Sequence, residues 1–205
     1  MKVYGTYPSH FTRKVRIVLQ ELQVPYEFSI LTNLMAVGEE HFANNPLHQL
    51  PILVDGTRKL VESDLICEYL IEKYGREQMS IYPEGDIIAH KQRLAIMNGG
   101  MDSGVKIIRG QRNGISADYP FFQQERGALQ ASLRWLDADL GNKKFYGPIE
   151  QLSLLELNLF CFIEWALFRE MINTLEPYSN LQSFYQFHKN RPSFVRTHPS
   201  ISEGI

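Results

Sequence analysis

The chain has 205 residues, 44% hydrophobic and 21% charged, with a formal net charge of −2. That length suits one large domain or two small ones, and that balance suits a packed, soluble globule. A nucleic-acid partner is not expected, because such proteins ordinarily carry a basic excess that is missing here.

In chain order, Met1 to Tyr4 can start a short strand. Phe11, Val15, Val18, Leu19 and Leu22 then follow helical spacing, which predicts a helix over about 10–22. Val24-Pro25 ends it, since the residue before proline avoids the helical region. Residues 26–31 alternate and suit a second strand, and a short helix is expected around 35–42. Pro51 to Val54, Asp55-Gly56, then Lys59 to Val61 read as a hairpin with Asp-Gly in the turn. Ser63 is the expected N-cap of the next helix, with Leu65, Ile66, Tyr69 and Leu70 as its apolar stripe. The order is βαβαββα. A helix joins the first two strands, so they should run parallel with a right-handed crossover.

IYPEGD, 81–86, places proline and glycine between periodic segments and reads as a linker. Everything after it is helix or loop. One helix over about 87–112 carries Ile88, Leu94, Met101, Val105 and Ile108. Another over about 121–140 has Leu129, Leu133, Leu136 and Leu140 as its stripe. Ser153-Leu-Leu-Glu156 is a capping-box pattern ahead of LSLLELNLFCFIEWALF, 152–168. That run is shorter than the roughly 20 apolar residues of a membrane span and contains Glu156, Asn158 and Glu164, so a helix buried in a bundle is expected and no membrane partner. The fold class is α/β plus all-α: a small α/β domain over 1–80 and an all-α domain over 87–205.

Two cysteines, Cys67 and Cys161, stand far apart with no CxxC, so neither a disulfide framework nor a dithiol redox site is expected. Six histidines show no HExxH or other ligand spacing, and no metal is expected. MKVYGTYPSH lacks the apolar run of a signal peptide. A cytoplasmic location is the expectation.

Specific residues narrow the architecture. YGTYPSHFTRKVRIVLQELQVPY (4–26) resembles the first strand, active-site turn and first helix of glutathione transferases. NNPLHQLPILVDG (44–56) and LVESDLICEYLIEKYG (60–75) resemble two further segments of that family's thioredoxin-like domain. SLLE (153–156) sits where the family has its helix-capping box, and RPSFVRTHP (191–199) resembles its closing segment. The style is that of the serine-type members common in bacteria and plants.

The resemblance implies a glutathione transferase, with glutathione as co-substrate, no tightly bound cofactor, a small hydrophobic electrophile as second substrate, and a homodimer. It implies a cis bond at Leu50-Pro51 that presents the backbone of Leu50 to the cysteinyl part of glutathione. Glu62 and Ser63, at a helix N-terminus, would take the γ-glutamyl ammonium and carboxylate. Gln49, with His48 beside it, would reach the glycyl carboxylate. Met101, Val105, Ile108, Trp165 and Phe168 would line the electrophile pocket, and Asp102 would reach the ammonium of glutathione in a neighbouring subunit.

The catalytic candidate is Ser9. A free thiol has a pKa of about 8.5, so only a few per cent is thiolate at neutral pH. Lowering it by about two units takes roughly 2.7 kcal/mol of preferential anion stabilisation, which a donated hydroxyl and the positive end of a helix can supply. Tyr7 and then Thr12 are the alternative donors. His10 stands where serine-type relatives often have proline and is expected to face water. Arg13, Lys14 and Arg16 crowd a helix end that prefers acids; they are either a solvated face or a source of positive potential for the thiolate. A second reading of the chain, from another class, is a non-enzymatic regulator or binding protein on the same fold.

Overall fold

The computed structural model describes residues 1–32, 38–75 and 77–201. The chain forms two compact units. The first comprises Met1–Ile81, Gln151–Leu157 and the segment from Asn190 onward; the second comprises Tyr82–Glu150 and Asn158–Lys189.

In the first unit β1 (Lys2–Gly5), α1 (His10–Glu21), β2 (Glu27–Ile30), β3 (Ile52–Asp55), β4 (Arg58–Val61) and α2 (Ser63–Tyr74) follow one another. The sheet order is β2-β1-β3-β4. As expected from the intervening helix, β1 and β2 are parallel, with Val3 opposite Phe28. β1 and β3 are antiparallel, with Val3 opposite Leu53. Both Val3 and Leu53 are fully buried. The hairpin register differs from the sequence expectation by one position: Asp55 pairs with Arg58, so the two loop residues are Gly56 and Thr57. Only Gly56 has positive φ, +60°, which is the pattern of a turn with glycine at its first central position. Asp55 is instead tied to α2, accepting from Tyr69 Oη at 2.7 Å and Lys73 Nζ at 2.5 Å. Those bonds from Lys73 and Tyr69 hold its carboxyl down at about 2.

Of the helix expected at 35–42, the described part is a single 3-10 turn, Glu39–Phe42; its beginning lies outside the described residues. The buried face of α2 is also shifted from the predicted stripe. Ile66, Cys67, Leu70 and Ile71 are within 1% of full burial, while Leu65 is 50% exposed.

The second unit holds α3 (Ile87–Arg112), α4 (Pro120–Leu140), most of α5 (Leu154–Phe168) and α6 (Ser179–His188); α7 (Pro192–Arg196) returns to the first unit. Leu129, Leu133, Leu136 and Leu140 of α4 are buried as their spacing predicts. On α3 the inward residues are Leu94, Met97, Met101 and Ile107, and Ile88 is 69% exposed. Close approach to α3 is made possible by its glycines. A Cβ at Gly104 would lie 2.5 Å from Trp165 Cζ3 and 3.2 Å from Leu129 Cδ1, and one at Gly100 would lie 2.5 Å from Phe162 Cζ. α5 is buried along its whole length to Ala166. Its start is the predicted capping box: Leu155 N donates to Ser153 Oγ at 3.1 Å, and Glu156 Oε2 accepts from Ser153 N at 2.8 Å. No helix among the described residues is long and apolar enough to cross a membrane.

Candidate active site

The turn between β1 and α1 carries Tyr7 and Ser9, and the first turn of α1 carries Thr12; the three candidate donors stand in different surroundings. Ser9 is the N-cap of α1, with extended backbone, and its Oγ accepts from Thr12 N at 3.2 Å. It is half-buried. Tyr7 is buried, its ring edge-on to Phe28 at 5.2 Å and covered by the Arg16 guanidinium at 4.9 Å. Thr12 is fully buried, and its Oγ1 accepts from Thr6 N at 3.4 Å. Its side chain also fills the space that a Cβ on Gly5 would need. Thr12 thus braces the turn from inside.

Two expectations about this turn are corrected. His10, expected in water, is 2% exposed and lies against Phe11, ring centroids 3.9 Å apart. Arg13, Lys14 and Arg16 are not a solvated face: each is 1% exposed or less. Every residue from Thr12 to Leu19 is buried. For Arg13 the cause lies at the other end of the chain. Arg13 donates to Phe194 O at 2.9 Å and to Thr197 Oγ1 at 3.3 Å, and Arg191 donates to both carboxylate oxygens of Glu21, at 2.7 and 2.5 Å. The closing segment therefore packs on α1 and receives Arg13; the other two cations are taken up within the sheet and α2. Arg16 stacks on Tyr7 and Phe28, and Lys14 reaches Asp64 Oδ1 at 2.6 Å.

The second component is the loop ahead of β3. The Leu50-Pro51 peptide bond is cis. Its approach is fixed by Asn45, which is 1% exposed. Asn45 Nδ2 donates to Gln49 O at 2.8 Å, and its Oδ1 accepts from Leu47 N at 3.0 Å. The Gln49 side chain is exposed, as its proposed use requires, and His48 stacks on Phe42 at 5.4 Å. Asn45 is a residue that the sequence reading used only as part of a motif; the Asn-Pro pair at 45–46 was the available signal for its bracing role.

The third component is the N-terminus of α2, where the N-cap is Glu62 rather than Ser63. Glu62 has φ +75°, and its carboxylate accepts from Asp64 N at 3.0 Å and Leu65 N at 3.3 Å. That backbone folds the longer side chain back over the first turn, so it takes the place a serine hydroxyl would have held. Ser63 is the first helical residue, is buried, and its Oγ donates to Glu62 Oε1 at 3.3 Å. A carboxylate has about four acceptor positions, and those three bonds leave room for one more donor. A non-glycine residue at such a φ is a strained conformation of the sort that clusters at ligand sites.

In the second unit, Met101 and Trp165 are buried, while Val105, Ile108 and Phe168 are half-buried. The Trp165 ring is held against Gly104. Asp102 is exposed. Burial and the charge of Arg112 lower the pKa of Arg169, whose guanidinium lies 5.2 Å over the Phe168 ring.

Residues 3–78 match the model of the glutathione S-transferase N-terminal domain. Over that stretch the chain resembles glutathione S-transferases. Glutathione S-transferase GstB of Escherichia coli K12 is 26% identical over 205 residues, covering 93% of this chain and 94% of that one. A glutathione S-transferase from Methylobacillus flagellatus, solved with glutathione bound, superposes with a TM-score of 0.83 at 24% identity, over 97% of this chain and 98% of that one. A bacterial zeta-class transferase, maleyl pyruvate isomerase in its holo form, superposes with a TM-score of 0.78 at 21% identity, over 99% of each chain. Those two likenesses establish the fold: the thioredoxin-like sheet domain followed by a helical region. Among the described residues no group of three or more His, Cys, Asp or Glu is placed to hold a metal ion, and both cysteines are buried and outside any disulfide.

Proposed function

We propose that the chain is a glutathione transferase that binds glutathione along residues 1–80, ionises its thiol, and adds the thiolate to a small hydrophobic electrophile held by residues 87–205. The observation that carries this reading is Ser9. It is half-buried rather than enclosed and sits at the positive end of α1. Capping uses an acceptor position of its oxygen, and a serine hydroxyl has a donor besides; that O–H is the group for a sulfur anion. Tyr7 and Thr12 are buried against other elements of the first unit, which ranks them below Ser9.

In this reading Leu50, presented by Pro51, pairs its backbone with the cysteinyl unit in the manner of an added strand. Ser63 and the first N–H groups of α2 take the γ-glutamyl carboxylate, and Glu62 offers its remaining acceptor position to the ammonium. Gln49 donates to the glycyl carboxylate. Glutathione is consumed as a co-substrate and no other cofactor is required. Val105, Ile108 and Phe168, the half-buried members of the expected lining, form the apolar surface for the electrophile, with Met101 and Trp165 supporting it from behind. Isomerisation or peroxide reduction would use the same thiolate. A homodimer in the cytoplasm is the state in which we expect it to act.

The test is activity toward an activated aryl halide with glutathione, for the wild type and Ser9→Ala. Loss of at least tenfold in kcat/KM, with glutathione affinity largely kept, is the expected result. Full activity in the variant would remove Ser9 from the role. No thermal shift of the wild type at millimolar glutathione would instead support the non-enzymatic reading.

A further inference from the structure

The Lys14–Asp64 pair has no place yet in the reaction. Lys14 Nζ lies 2.6 Å from Asp64 Oδ1, with the two side chains 0% and 8% exposed. Both charges have therefore left water. A buried ion pair is a poor way to gain stability, since desolvation cancels much of the attraction and well-packed apolar side chains often do as well. What such a pair does supply is geometry: a short, charge-assisted bond that holds two backbones at one spacing.

The backbones it holds are informative. Lys14 lies in the second turn of α1, the helix that Ser9 caps. Asp64 is the second residue of α2, immediately after Ser63. The connection continues past the carboxylate, because Asp64 N donates to Glu62 Oε2 at 3.0 Å. Lys14, Asp64 and the strained Glu62 thus form one chain of contacts from the first helix to the α2 N-terminus. The Lys14 ammonium is itself steadied by the Phe11 ring, 5.1 Å away.

We propose that the Lys14–Asp64 pair is a positioning element that sets the span between the sulfur-activating turn at Ser9 and the γ-glutamyl pocket at Glu62-Ser63. The inference rests on the glutathione reading above. A tripeptide anchored at its γ-glutamyl end delivers its sulfur to Ser9 only if that span is right. An error of about 1 Å in such a placement costs on the order of a hundredfold in rate, while the anchoring contacts at Leu50 and Ser63 still hold the ligand. The signature is a fall in kcat with a smaller change in KM for glutathione.

Two variants test it. Asp64→Glu keeps both charges and lengthens the link by one methylene. Lys14→Met/Asp64→Leu removes the charges together and leaves neither one stranded. Each is measured for thermal midpoint and for kcat and KM with glutathione and an activated aryl halide. The expected result is a fall in kcat of about tenfold or more in both, with KM for glutathione changed less than about threefold and the folded fraction at assay temperature unchanged. Wild-type kcat in either folded variant would overturn the proposal, as would a loss that follows the unfolded fraction or sits wholly in KM. A wild type that neither binds nor turns over glutathione refutes the functional reading itself, a result separate from variants that match an active wild type.

Discussion

α3 contains two glycines whose replacement by alanine should act differently. Nothing lies within 4 Å of a Cβ built on Gly99, which is exposed, whereas a Cβ on Gly104 would lie 2.5 and 2.7 Å from Trp165 Cζ3 and Cη2 and 3.2 Å from Leu129 Cδ1. Both positions are interior to a 26-residue helix, so both gain about 0.8–1 kcal/mol in helix propensity when alanine replaces glycine. At Gly99 that gain stands alone. At Gly104 the atoms in the way belong to a rigid indole that is 3% exposed and has little freedom to yield. Overpacking of that kind costs roughly 1–3 kcal/mol, which cancels or exceeds the gain. In a chain of this length about 1 kcal/mol moves the melting midpoint by roughly 2–4 °C. Gly99→Ala should therefore raise the midpoint by about 2–4 °C, and Gly104→Ala should fall below Gly99→Ala by roughly 2–12 °C. Differential scanning calorimetry of the two variants beside the wild type reads this directly. Because Trp165 supports the proposed electrophile surface, Gly104→Ala should also change KM for the electrophile more than KM for glutathione. Equal stabilisation by both alanines would show that Trp165 is not held against α3 as described, and the argument for the second-substrate surface would lose its support.

Two further outcomes follow from the first unit. Ser153→Ala removes the cap of α5, a loss of about 1–2 kcal/mol and a midpoint drop of roughly 2–8 °C; Ser153→Thr, whose hydroxyl can still accept from Leu155 N and donate to Glu156, should recover most of it, and failure to do so would assign the loss to something other than the cap. Burial alone would raise the Glu21 carboxyl, but hydrogen bonds from Arg191 and Ser193 outweigh it and hold it below its ordinary 4.5. The stability this contributes is whole above about pH 4.5 and is lost as pH falls through the lower value of the folded state. The gap in midpoint between wild type and Glu21→Gln should accordingly be constant near neutrality and shrink below that pH; a gap that widens in acid would contradict it.

The parts of the fold that could be read from sequence were those set by short-range chemistry. The helix limits of α3 and α4, the Ser153-Glu156 box and the parallel β1–β2 pair depend on spacing and local bonds, and they came out close to the observed elements. The misreadings share a different cause. Leu65 looks like a core residue, yet it is half exposed while Cys67 is fully buried, because α1 and the sheet together decide which face of α2 turns inward. Ser63 has the composition of an N-cap, but Glu62 takes the position through a backbone conformation with positive φ that residue type alone does not announce. Within the candidate site the motif residues were legible by resemblance, while the braces Asn45 and Lys14–Asp64 were not, because each is defined by a partner that only the folded chain supplies.

The basic start of α1 shows how such a partner changes a residue's meaning. On helix electrostatics alone, Arg13 and Lys14 near an N-terminus are unfavourable by a few tenths of a kcal/mol each, and exposure to water would be the natural remedy. The structure takes the opposite course and buries them. Each cation then does something a solvated one could not: Arg13 ties in the closing segment through Phe194 and Thr197, Arg16 lies across Tyr7 and Phe28, and Lys14 holds Asp64. The closing segment, α1 and the start of α2 are thereby joined through one stretch of four residues that begins four positions after Ser9. Flexibility anywhere in that stretch would reach Ser9 directly, so the burial of these charges and the fixed placement of the proposed sulfur donor are consequences of the same packing.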